Sequence, residues 1–143
     1  MSDTAALSAR FVGDDPHLGK LPEPPGGLGA LVCQYWFDSK LEVVRGDRVI
    51  YSRSNYNVWV PPPVVLVDGR KVRASWSGWW LPMRAGPHEI EVCEPVPARL
   101  RVELTAGTNH QLRYRVNLRI RKDYLDGPVL EWLGEATLRP TND

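Results

Sequence analysis

Several features are missing from this 143-residue chain, and each absence narrows the classes of protein it can belong to. No run of 18 apolar residues occurs, so the sequence predicts no transmembrane helix. The first ten residues lack the basic flank and the apolar stretch of a signal peptide. The formal net charge is only +1, which gives no strong field toward nucleic acid or an anionic membrane. We therefore expect a soluble, cytoplasmic protein that has neither a membrane nor a nucleic acid as its partner.

Cysteine is scarce as well. Only Cys33 and Cys93 occur, and neither belongs to a C-x-x-C pair. Without an export signal the default prediction is two reduced thiols, although a disulfide between the two predicted strands that carry them stays open.

No common catalytic motif is present. The chain contains no G-x-S-x-G, no H-E-x-x-H, no phosphate-binding loop and no G-x-G-x-x-G. The carboxylate pairs Asp14/Asp15 and Glu89/Glu91 fall in a Pro/Gly-rich segment and on an exposed strand, and the three histidines form no cluster. The sequence therefore predicts a protein that is not an enzyme and binds neither a cofactor nor a metal.

Proline and glycine, in contrast, are frequent, with thirteen and twelve copies. Such frequent turn residues disfavour long helices and favour short strands. They are dense in residues 1–29, where bulky apolar residues are few, so this segment is predicted to be a flexible arm that adds little stability. Within it, Phe11 and Val12 are the side chains that could dock on the domain. Residues 30–143 are predicted to form a single domain.

Apolar and polar residues alternate along much of that domain, which is the pattern of strands with one exposed face. Gly46-Asp47 and Asp68-Gly69 are predicted to be hairpin turns. The segment from Val64 to Val67 is apolar throughout and predicts a strand buried on both faces, whereas the segment around Gly78 is predicted to be a loop. The predicted strands are 31–37, 41–45, 48–52, 56–60, 64–67, 71–76, 88–93, 98–104, 111–121 and 129–138. The fold class is all-β, an antiparallel β-sandwich.

Residues 64–107 resemble a known group of small β-sandwich domains, the PEGA and carboxypeptidase-regulatory-like group. The resemblance rests on Val65-Leu66-Val67-Asp68-Gly69, on Ala85-Gly86-Pro87-His88-Glu89-Ile90-Glu91-Val92, and on the strand 100–104 followed by Ala106-Gly107. It implies an immunoglobulin-like or prealbumin-like sandwich without catalytic activity, which is often an adaptor or surface module.

Tryptophan is the first candidate for a binding site. Six tryptophans occur, and Trp76, Trp79 and Trp80 lie close together in sequence. Because neighbouring strand residues face opposite ways, we expect at least one of Trp79 and Trp80 to be substantially exposed and to contact a partner. Core packing is the alternative reading of the same three residues.

Arginine is the second candidate. If residues 89–93, 99–103 and 113–121 form a meander, Arg101, Arg113 and Arg115 share one basic face. Pairing around Val96 would place Glu91 opposite Arg101, and pairing around Gly107 would place Arg101 opposite Arg113. Such a face either binds an acidic partner or is merely solvated.

The function predicted first is binding of another protein, either a heterologous partner or a second copy. A carbohydrate- or small-ligand-binding module that uses the tryptophan cluster is the second hypothesis. An enzyme without a recognisable motif is the third.

Overall fold

The computed structural model describes residues 9–13, 20–123 and 127–141, which form ten strands in two sheets. The all-β sandwich predicted from the sequence is confirmed. No helix in the described part of the chain is long and apolar enough to cross a membrane.

One sheet, called the long sheet here, has the strand order β1-β6-β2-β9-β10, with β3 also paired to β2. Its strands are β1 (Arg10–Gly13), β2 (Leu28–Arg45), β3 (Arg48–Ser54), β6 (Gly78–Arg84), β9 (Asn109–Asp123) and β10 (Val129–Pro140). All its pairs are antiparallel except β2 and β9, which run parallel from Ala30↔Asn109 to Val44↔Asp123. A parallel pair at the centre departs from the purely antiparallel sandwich that was expected.

The other sheet, called the short sheet, has the antiparallel order β5-β4-β7-β8. Its strands are β4 (Val64–Val67), β5 (Arg70–Val72), β7 (Gly86–Glu94) and β8 (Ala98–Leu104). The main core lies between the sheets, where Leu31, Tyr35 and Tyr114 of the long sheet pack with residues of the short sheet such as Ile90 and Val92. The burial of alternate residues on facing strands drives this packing.

The expected meander through the second half of the chain is wrong in one step. β7 and β8 do pair, but Arg101 lies opposite Glu89 and Arg99 lies opposite Glu91, two residues away from the expected register. After β8 the chain crosses to the long sheet, where β9 pairs with β2 and β10. Arg101 is therefore not opposite Arg113. Alternation identifies the buried face of a strand but not its neighbour, since both arrangements bury the same residues.

Four local predictions also need correction. Residues 56–60 form no strand, and β5 ends at Val72, well short of Trp76. The segment around Gly78 begins a strand, β6, instead of forming a loop. β4 buries Val65 and Val67 fully, while Val64 and Leu66 are only partly buried. In contrast, the turns at Gly46-Asp47 and Asp68-Gly69 are confirmed.

The described part of the predicted arm contacts the domain. β1 pairs with β6, and the predicted boundary at Ala30 falls inside β2, which begins at Leu28. Val12 and Leu21 pack on the outer face of the long sheet against Trp80. Residues 1–8 and 14–19, for which flexibility was also predicted, lie outside the described residues.

Candidate functional site

Trp79 and Trp80 point to opposite faces of β6, as strand geometry requires, but neither ring is exposed. Trp80 lies on the outer face and is only 7% exposed, because Val12 and Leu21 cover it. Its indole N–H donates to the Asn109 side-chain oxygen at 2.9 Å. Trp79 lies on the inner face, partly buried, with its N–H bonded to Ser75 Oγ. The expectation that one of the two would be substantially exposed is wrong, since the N-terminal segment covers the second face.

Trp76 belongs to an aromatic group in the core. Its ring stacks on Trp132 with centroids 5.9 Å apart, and it makes a T-shaped contact with Phe37. Its N–H donates to the carbonyl oxygen of Pro61 at 2.9 Å. Trp76, Trp79 and Trp80 therefore do not form a common exposed surface.

The three candidate arginines lie on two different sheets. Arg101 is exposed on β8 of the short sheet. Arg113 and Arg115 lie on the outer face of β9, in the long sheet, beside the partly exposed Trp36. Arg115 pairs with Asp38 at 2.7 Å, whereas Arg113 lies opposite Arg139 and contacts the Gln34 side-chain oxygen at 3.5 Å. A single basic face that contains all three is therefore not formed.

Arg101 borders a shallow cleft of about 400 Å³ between β8 and β9. His110 also lines this cleft, but its Nε2 accepts a hydrogen bond from the Thr105 backbone N–H at 3.0 Å. That bond fixes the ring as a structural acceptor at the β8–β9 turn. Among the described residues, no group of three or more His, Cys, Asp or Glu side chains could hold a metal ion.

Both cysteines are free, and the buried thiol is not activated. Burial raises the pKa of Cys33 to about 12, and the hydrogen bond with Tyr35 offsets this only in part. Because the thiolate is the nucleophilic form of cysteine, Cys33 behaves as a core residue at neutral pH.

Exposed apolar side chains instead gather at one end of the long sheet. Strands β2 and β9 extend beyond the short sheet there, and a second small core forms from Leu41, Leu118 and Ile120 under residues 56–60. No residue of the short sheet takes part in that core. The apolar side chains left exposed around it are called the apolar end here: Val49, Ile50, Tyr51, Trp59, Val129 and Leu130.

Trp59 is the most exposed large apolar residue of the described chain, at 79%. Residues 56–60 alternate in burial: Tyr56, Val58 and Val60 pack against the sheet, while Asn57 and Trp59 are exposed. The sequence carried a signal for this, because alternation with Val58 and Val60 places Trp59 on the polar side together with Asn57. The sequence pattern had instead led us to expect the exposed ring at Trp79 or Trp80.

Strand β3 contributes the other large part of the apolar end. All seven of its residues are exposed, and Tyr51 is exposed to 52%. The hairpin of β2 and β3 turns at Gly46-Asp47, where the positive φ of Gly46 suits a tight turn. Arg45 and Arg48 flank this turn, and Arg53 lies near the other end of β3, opposite Leu41.

Comparison of the chain with models of known protein families finds no match, and neither curated proteins nor solved structures give one.

Proposed function

We propose that the protein is a non-enzymatic β-sandwich module that binds another protein through the apolar end of its long sheet. The observation that carries this proposal is the concentration of exposed apolar side chains there. Six of the eight large apolar residues exposed in the described chain belong to this end, and the two others are Phe11 and Trp36. Several exposed apolar side chains at one end of a molecule are typical of a protein interface.

The exposed rings of the apolar end can contribute substantially to binding. An indole exposed to 79% leaves on the order of 150–200 Å² in water, and its burial would yield about 4 kcal/mol before the costs of association. Tyr51 adds a second amphipathic ring, and Tyr and Trp are the residue types that most often dominate interface energetics.

The finer assignments belong to the same proposal. An immunoglobulin-like or PEGA-like relationship accords with the two sheets and with the Asp68-Gly69 turn. A cytoplasmic location accords with two unbridged cysteines. Carbohydrate binding by Trp76, Trp79 and Trp80 has less support, because stacking on a sugar needs exposed ring faces.

The test compares the proteins that co-purify with the wild-type chain and with a Tyr51→Ser, Trp59→Ser double variant. We expect partners bound by the wild type to be retained at least about tenfold less by the variant, since both changes remove exposed anchors and little core packing. Quantitative mass spectrometry of the purified complexes measures retention, and sedimentation measures self-association.

Phe11→Ser is the matched control, because Phe11 is half exposed but lies away from the apolar end. Melting curves verify that all three proteins fold. Retention of the same partners by the double variant, or their loss in Phe11→Ser alone, contradicts the proposal.

A further inference from the structure

Strand β3 has one edge without a partner in the described structure. It hydrogen-bonds to β2 on one side only, while β1, β6, β9 and β10 occupy other positions of the sheet. From Tyr51 to Ser54 its pairing with Val43 to Lys40 is continuous, and a bulge lies between Val49 and Tyr51. An exposed strand edge presents backbone N–H and C=O groups that can pair with an added strand.

The hairpin that carries this edge is locally basic. Residues 44–54 contain three arginines and one aspartate, a net charge of +2, although the whole chain carries only +1. Arg45 lies directly opposite Arg48, an unfavourable placement of like charges. Among the described residues, no carboxylate pairs with Arg45, Arg48 or Arg53.

Three arginines elsewhere in the same sheet do have carboxylate partners. Arg115 pairs with Asp38, Arg119 with Glu131 and Arg121 with Glu42. Arg113 and Arg139, which lie opposite each other, also lack a carboxylate partner among the described residues, so such arginines are not confined to β3. The β3 hairpin combines its net charge of +2 with an open strand edge and exposed apolar side chains, and this combination favours an acidic, extended occupant.

The register also places two arginines and the tyrosine of β3 on one face of the sheet. Arg48, Tyr51 and Arg53 lie opposite Arg45, Val43 and Leu41, which alternate along β2 and so share a face. A strand added beside β3 would meet basic, aromatic and basic side chains in that order. The complementary pattern is an acidic residue, an apolar residue and another acidic residue, each separated by one position.

Building on the proposed function, we propose that the free edge of β3 binds an extended acidic segment of a partner protein, which joins the long sheet as an additional strand. A second copy is a poorer occupant, because its hairpin brings the same net charge of +2 and a second bulge. Nucleic acid is also a poorer occupant, since three arginines neutralise few phosphates and half-exposed Val49 and Ile50 favour a polypeptide.

The test uses a synthetic seven-residue threonine peptide with Glu at its second and sixth positions and Val at its fourth. Amide chemical shifts of the full chain report the binding site during titration. We expect shifts confined to β3 and to residues 40–45 of β2. A peptide with Lys in place of Glu, and one N-methylated at alternate positions, are expected to bind at least tenfold more weakly.

Charge-reversed variants of the protein locate the electrostatic contribution. Arg48→Glu with Arg53→Glu is expected to weaken binding at least tenfold. The matched control is Arg113→Glu with Arg139→Glu, which changes the net charge equally on a different part of the same sheet and is expected to leave the affinity within twofold.

Several results would overturn the inference: no binding at about 1 mM peptide, shifts on the Arg113 face, an unchanged affinity of the Arg48 and Arg53 variant, or a dimer whose formation occupies β3. If one of these results is found but the Tyr51→Ser, Trp59→Ser variant still loses its partners, the proposed function stands and strand addition is excluded. If that double variant retains the same partners as the wild type, the proposed function itself is contradicted.

Discussion

At the scale of single residues, Tyr114 shows how one hydroxyl joins the two sheets. Its O–H donates to the carbonyl oxygen of Val96 at 2.7 Å and accepts from the Val96 N–H at 3.2 Å. Val96 lies between β7 and β8, so a residue of the long sheet satisfies backbone groups of the short sheet. Burial raises the pKa of Tyr114, although its hydrogen bond to Val96 acts in the opposite direction. The hydroxyl therefore stays protonated at neutral pH.

Tyr114→Phe should lower the free energy of unfolding by about 1–3 kcal/mol, because it leaves both backbone groups of Val96 without their partner. Urea denaturation measures the change. Tyr51→Phe is the matched control, since the exposed Tyr51 hydroxyl makes no hydrogen bond with the described residues, and its effect should stay below about 0.5 kcal/mol. Equal effects of the two substitutions on the free energy of unfolding would show that the Tyr114 hydroxyl does not stabilise the contact between the sheets.

At the scale of elements, the β4–β5 hairpin depends on the conformation and charge of Asp68. Asp68 and Gly69 have φ angles of 51° and 80°, the left-handed pair that a tight hairpin turn requires. The Asp68 carboxylate accepts hydrogen bonds from His88 Nδ1 at 2.6 Å and from the Glu89 N–H at 2.9 Å. Partial burial acts to raise the pKa of Asp68, but these bonds and the charges of His88 and Arg70 lower it below its ordinary value.

Asp68→Asn should therefore reduce stability in a pH-dependent way. A carboxylate with a lowered folded-state pKa stabilises the fold above its unfolded pKa of about 3.8, and this contribution is lost as the pH falls through the folded value. Since the side chain is 41% exposed, solvent screening limits the effect to less than about 1 kcal/mol.

The measurement is urea denaturation of both proteins between about pH 6 and pH 2.5. The stability gap between wild type and variant should be constant near pH 6 and should close toward pH 2.5. A gap that does not change with pH would show that Asp68 acts through turn geometry alone. Asn tolerates the left-handed conformation, so the substitution preserves the turn.

The sequence predicted most elements because alternation and turn residues act locally. β8 and β9 bury alternate residues where the pattern indicated, and the two hairpins turn at their Gly-containing pairs. β6 was missed because Trp79 through Met83 shows no polar alternation, since both faces of this strand are covered. Residues 56–60 alternate equally well, yet they have no strand partner. Their side chains pack against the sheet, and the Tyr56 carbonyl oxygen accepts a hydrogen bond from Ser39 Oγ at 2.6 Å.

The candidate site was harder to predict because exposure depends on distant residues. Trp80 is buried by Val12 and Leu21, which are remote in sequence, whereas Trp59 points away from the second core and is left uncovered by the described residues. Arg101 and Arg113 lie on strands that are consecutive in sequence, β8 and β9, but these strands belong to different sheets. Local patterns give a side chain its face, and only the packing of layers decides whether that face meets solvent.

At the scale of the whole molecule, the N-terminal segment is part of the packed structure. β1 extends the long sheet, and Asn109 donates a hydrogen bond to the carbonyl oxygen of Pro22 while accepting one from Trp80. Removal of residues 1–29 would uncover Trp80 together with Ala30 and Val32. On the order of 100–200 Å² of apolar surface would become exposed, which corresponds to a few kcal/mol.

Three chain lengths test this: the full chain, a chain that begins at Lys20, and a chain that begins at Ala30. We expect thermal stability to fall in two steps, first with the loss of β1 and then with the loss of Leu21 and of the start of β2. Calorimetry gives the midpoints. A chain from Ala30 that melts like the full chain would contradict this reading and would support the sequence prediction of a dispensable arm.

The parallel pairing of β2 with β9 has a consequence for the order of events during synthesis. β2 is the central strand of the long sheet, yet Ala30 to Val44 find half of their ladder only when Asn109 to Asp123 exist. A nascent chain that has already made β2, β3 and β6 still presents an open edge at β2, whose first half is buried in the folded protein. Contacts this distant in sequence slow folding, because the loop between them must close first. During translation, this edge of β2 therefore stays open to pairing with other chains until β9 has been made.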